Sequence, residues 1–179
     1  SYAYIMLEAY HYSGESRWLD EAAKSLKYVL TEMHYSEINL RYTAHYTEAV
    51  DVPVAETFGN GYAVAAAQQL YNLTGDETYR QYARDYLNIL ARMAFWYKDD
   101  ADATSQDLNN LGLFRAHGGH YGTCPWENIE AYLPLSVYLK YNSDRDDLLF
   151  KLFNLQRITS FYFFPPTWSA QVAAPNPEL

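Results

Sequence analysis

Cysteine, cationic side chains and long apolar runs are all scarce in this chain, and each shortage removes a class of protein. The single cysteine, Cys124, cannot close an intramolecular disulfide. No Cys/His cluster has zinc-finger spacing, so neither a metal nor a cofactor is expected. Only 13 Lys and Arg stand against 22 Asp and Glu, a net charge of −9. That balance argues against holding nucleic acid or an anionic membrane by bulk attraction, and neither is an expected partner. No apolar run approaches the roughly 20 residues of a membrane-spanning helix. Proline is concentrated at one end: four of the seven follow Tyr162. Residues 163–179 accordingly read as an extended Pro-rich tail or linker.

What the chain has in quantity is tyrosine, 19 residues in an aromatic fraction of 17%. Tyrosine suits half-buried surface, because the ring packs while the hydroxyl reaches water or a partner. Its positions, with those of Leu and Ala, follow helical periods. From about Tyr62 to Leu73 the chain is apolar or small on nearly every side, as in a helix buried all round. The following stretch places Tyr79, Tyr82, Ala83, Tyr86, Leu87 and Leu90 on one stripe and charged residues on the other. Between them, Gly75 suits a left-handed helix end, and Asp76 suits the cap of the next helix.

This inner-helix, outer-helix pair repeats. LEAYHYSGESRWLDEAAKSL, residues 7–26, aligns without a gap on QQLYNLTGDETYRQYARDYL, residues 68–87, at an offset of 61. A looser third copy runs from Ile129 to Tyr141, turns at Asn142-Ser143-Asp144, and continues as a helix over about 145–159. Three helical hairpins at a spacing near sixty residues predict an all-α repeat over 1–162. Helix is expected over most of 2–33, 58–97 and 125–160. Two long connections, about 35–60 and 98–124, join the hairpins, and loops of that length are usually functional. Both lead into inner helices, so their residues gather on one face, beside helix N-termini.

Turns written Tyr-x-x-Thr-Gly-Asp-Glu-x-Tyr between inner and outer helices resemble those of the six-hairpin glycosidase-like (α/α) toroids. LYNLTGDETYRQYARDYLNIL, residues 70–90, carries the resemblance best. It implies an (α/α) toroid-like array, and three legible hairpins imply an incomplete one. The chain also opens inside a helical pattern, SYAYIMLEAY. A fragment is therefore expected, its open edges covered by the remainder of a larger chain or by another subunit. The superfamily holds glycoside hydrolases, polysaccharide lyases and sugar epimerases, so a glycan substrate is implied and the reaction is left open. AHGGHYG also resembles the Ala-His-Gly loop of lanthionine-synthetase-like toroids, but one cysteine is too few for their zinc site.

The chemistry is expected in the long connections, above all LFRAHGGHYGTCPWENIEAY, residues 113–132. Cys124 suits an N-cap, with Pro125 at the first helical position. Glu127 then falls in the first turn, and Glu130 follows on roughly the same face. Hydrolysis of a glycosidic bond needs two carboxyl groups. Glu127 or Glu130 would supply one, and Glu48, Asp51 or Glu56 the other. His117, Trp126, Arg115 and Asn60 would bind the sugar. In the alternative, a lyase, His120 or Tyr121 would take the proton beside a uronate carboxylate that Arg115 and Asn60 neutralise. Plain structural roles stand beside these readings. Glu127 could serve the helix dipole, Glu130 could face water, the histidines could close the loop, and Trp126 could be core. A non-catalytic helical-repeat binding domain is the third reading.

Overall fold

The computed structural model describes residues 2–31, 57–94, 112–114, 125–142, 149–152 and 154. Among these, every regular element is helical, and strand-like pairing is limited to one isolated antiparallel bridge. Five helices follow in order: α1 (Tyr2–Ser13), α2 (Arg17–Thr31), α3 (Thr57–Thr74), α4 (Glu77–Met93) and α5 (Pro125–Asn142). Residues 149–152 are helical too. Leu149 and Leu152 are buried in the common core.

The repeat holds at the level of single hydrogen bonds. In the first turn Gly14 N–H donates to Tyr10 O at 2.8 Å, and in the second Gly75 N–H donates to Tyr71 O at 2.8 Å. Ser13 Oγ donates to Ala9 O while accepting from Glu15 N–H; Thr74 Oγ1 does the same with Leu70 O and Asp76 N–H. Both glycines have positive φ, 72° and 71°, the left-handed conformation in which a Cβ is costly. Asp76 then caps α4, its Oδ1 accepting from Thr78 N–H at 2.8 Å. That hydrogen bond holds the Asp76 carboxyl below the usual carboxylate range.

Contacts fix the helix directions. The Tyr4 and Tyr62 rings meet edge to face at 5.0 Å, and His11 Nε2 lies 3.4 Å from Gln69 Oε1. Both pairs advance in the same sense, so α1 and α3 are parallel. On a neighbouring face of α3, Gly61 lies against the Ala131 backbone, and Asn142 Nδ2 donates to Gln68 Oε1 at 2.8 Å. So α5 is parallel to α3 as well. Three inner helices form a row with α3 in the middle. The outer helices α2 and α4 pack behind it, joined where Tyr86 Oη donates to the buried Leu26 carbonyl at 2.9 Å.

One feature differs from the sequence expectation. The buried helix begins at Thr57, five residues before Tyr62, so Asn60 lies in α3 and not in the preceding loop. Gly59 and Gly61 look like loop residues in sequence. Gly61 is instead the place where α3 meets α5: a Cβ there would stand 2.7 Å from Ala131 O. The all-round apolar α3 is well covered, as its sequence implies, with ten of its residues buried. Exposed large apolar side chains lie on α1 and α5, and also at Tyr28 of α2, Leu73 of α3 and Phe150. Residues 163–179 lie outside the described residues.

Candidate functional site

The N-terminal end of α5 is where backbone, acid and loop meet. Its first turn contains Glu127, whereas the first turns of α1 and α3 contain no acid. Glu127 belongs to the stripe Glu127, Ala131, Leu135, Tyr138 and Asn142, four or three residues apart along the helix. Ala131 and Asn142 of that stripe touch α3, so Glu127 occupies the α3-facing side at its N-terminal end. The residue is half-buried, and its Oε2 atom is shielded from solvent. On α3, Asn60 is buried, and its Oδ1 is shielded as well. The two parallel N-termini put partial positive charge at this end of the row.

Glu130 is half-buried in the second turn. Pro134 stands four residues on, inside α5, and brings no N–H to the Glu130 carbonyl.

A short segment is clamped beside these residues. Asn128, one residue after Glu127, is buried and pairs with both backbone groups of Phe114. Its Oδ1 accepts from Phe114 N–H at 2.6 Å, and its Nδ2 donates to Phe114 O at 3.0 Å. Tyr132, one turn further on, donates through Oη to Gly112 O at 2.6 Å and stacks its ring on Phe114 at 5.1 Å. Burial pushes the Tyr132 phenol above its ordinary range. Phe114 also bridges antiparallel to Ala94, the C-cap of α4. The connection from α4 to α5 is thus tied down partway along. Phe114 is thereby held beside the N-terminal part of α5.

Of the residues singled out in sequence, Glu127, Glu130 and Asn60 are placed, with Glu127 and Asn60 near the ends of adjacent parallel helices. Trp126 contributes backbone to the first turn of α5, and its side chain lies outside the described residues. Asp51, Arg115, His117, His120 and Tyr121 lie outside them too, as do Glu48, Glu56 and Cys124. The clamp of Asn128, Tyr132 and Phe114 was missed. Its signal was an apolar pair, Leu113-Phe114, inside a polar loop, facing an Asn and a Tyr spaced four apart. Among the described residues, no group of three His, Cys, Asp or Glu side chains could hold a metal ion, and no helix is long and apolar enough to cross a membrane.

Comparison with known proteins yields no match to any family model, curated protein or solved structure.

Proposed function

We propose that this chain is part of a carbohydrate-active enzyme of (α/α) toroid architecture, a glycoside hydrolase that uses Glu127 as one of two catalytic carboxyl groups. The observation that carries the reading is the half-buried Glu127, on the α3-facing side of α5, beside both ends of the stretch 115–124. Acid–base work on a glycan needs a carboxyl group partly withdrawn from water on a fixed helix, next to groups that can reach the sugar. The helix provides the first. Arg115, His117, His120 and Tyr121, together with Trp126 and Glu130, are the residues available for the second.

Asp51 is the proposed second carboxyl group. The pair would stand about 5–9.5 Å apart, the closer spacing serving a covalent intermediate and the wider one admitting a water. Asn60, at the end of α3, would orient the sugar from the neighbouring helix. The remainder of a larger chain or another subunit completes the cleft.

The test is glycan cleavage by the intact protein, over a panel of neutral and uronate-containing polysaccharides. Release of reducing ends should fall on the order of 10²–10⁴-fold in Glu127→Gln. An ultraviolet-absorbing unsaturated product, lost in Tyr121→Phe and kept in Glu127→Gln, would select the lyase instead. If the intact protein cleaves none of the panel, the enzymatic reading fails and the helix row is a binding scaffold.

A further inference from the structure

Asn60 is followed by Gly61, and no other asparagine in the sequence precedes a glycine. Asparagine is a thermolabile residue, and most so before glycine, which puts no side chain in the way of ring closure and lets the backbone turn freely. The reaction is intramolecular. Gly61 N, having lost its proton, attacks Asn60 Cγ. The new C–N bond closes a succinimide ring, and the side-chain nitrogen leaves as ammonia. Water then opens the ring at either carbonyl. One product is aspartate; the other is isoaspartate, whose main chain runs through the former side chain and is longer by a carbon. In sum, an amide and water become an acid and ammonia, with no other reactant.

The fold closes this route. Asn60 is 1% exposed, and its Oδ1 is shielded from solvent. Gly61 lies inside α3, where the helical ladder assigns its N–H to the Thr57 carbonyl four residues back. Attack needs that nitrogen out of the ladder and turned onto Cγ, which a helical backbone does not permit. The backbone has no room to turn there either, because Gly61 lies against Ala131 of α5. Asn72, near the other end of α3, is the opposite case: it is exposed, but Leu73 follows it.

We propose that Asn60–Gly61 is a latent modification site, held shut while α3 packs on α5 and converted to aspartate or isoaspartate when α3 unwinds. Neither product repacks. Aspartate puts a carboxylate into a buried place, a cost that the dipole at the start of α3 offsets only in part. Isoaspartate lengthens the main chain one residue before Gly61, so the helical ladder and the Gly61–Ala131 contact fall out of register. A chain that stays unfolded is thereby marked, and its unfolding becomes irreversible. The device rests on the packing of α3 and is independent of the chemistry proposed for Glu127.

The experiment holds the full chain at neutral pH, either folded or in denaturant, and locates amide-to-acid conversion by mass spectrometry of its peptides. Conversion at Asn60 should be at least about a hundredfold slower in the folded chain, because it waits for α3 to open. Asn72 should convert slowly in both states. On removal of denaturant, the yield of refolded chain should fall with holding time, in step with loss of the Asn60 amide. Holding in denaturant at acidic pH should preserve both the amide and the yield, since the attacking nitrogen must lose its proton. Asn60→Gln, whose longer side chain closes the ring slowly, should keep its refolding yield at neutral pH. The comparison of holding pH decides the matter if that variant does not fold. Equal conversion at Asn60 in folded and denatured chain overturns the proposal. So does an Asn60 amide that persists in denaturant, and so does a refolding yield that stays high after Asn60 has converted.

Discussion

The α1–α2 and α3–α4 hairpins share one turn, hydrogen bond for hydrogen bond, yet their inner helices do different work. Where α1 buries Leu7, α3 buries Gln68 at the equivalent position. Among the described residues α1 meets one inner helix, and α3 stands between two. Gln68 is tied by donating to Asn72 Oδ1 and accepting from Asn142 Nδ2, both at 2.8 Å. Gly61 lets the backbones of α3 and α5 approach until no side chain fits. The comparison teaches that the turn sets the hairpin, while a few residues on the inner helix set its place in the row. The second hairpin carries those residues because α5, and Glu127 with it, is positioned against α3.

The contrast can be broken most severely at Gly61. Gly61→Val would drive a branched side chain into the Ala131 backbone and should cost about 3 kcal/mol or more in chemical denaturation. The row would separate between α3 and α5, and the clamp on Phe114 would loosen with it. A variant as stable as the parent would mean that the two helices do not touch there.

Exchanging the residues at the paired inner positions sharpens the difference. Leu7→Gln puts an amide into a site built for an apolar side chain and should cost about 2–3 kcal/mol. Gln68→Leu removes two hydrogen bonds but keeps the site filled, and Asn142 retains its bond to Tyr138 O. Its cost should be about 1 kcal/mol. Equal losses from the two substitutions would erase the distinction between the helices.

The turns should show no contrast. Gly14→Ala and Gly75→Ala each place a Cβ in open space at a positive φ, so only the backbone preference is paid. Each should cost about 1 kcal/mol, and the two values should agree within experimental scatter. A large disparity would mean that the turns are not equivalent.

Much of this was legible in the sequence. Helical period, turn chemistry and the 61-residue offset led to the α1–α2 and α3–α4 hairpins, because those signals are local and each residue carries its own share. The start of α3 was legible only to within a few residues, since Asn60 reads as the end of a connection until Gly61 is known to lie against Ala131. The Asn128–Phe114 clamp joins residues fourteen apart through a side-chain amide, and no periodicity records such a pairing. Glu127 was legible as a first-turn acid after Pro125. Its place on the side of α5 that faces α3 became clear only with the Gly61–Ala131 contact.

Glu127's location rests on α3 and α5 meeting backbone to backbone, and thermal unfolding of Gly61→Ala tests that most directly. In a helix that merely carries a glycine, alanine stabilises by about 0.5–1 kcal/mol. Here the added Cβ would lie 2.7 Å from Ala131 O and 2.9 Å from its Cα, atoms of a backbone that cannot rotate away. The account predicts a lower melting temperature for Gly61→Ala, with a loss of about 1–2 kcal/mol after the helical gain is offset. A higher melting temperature would contradict the crossing, and with it the placement of Glu127.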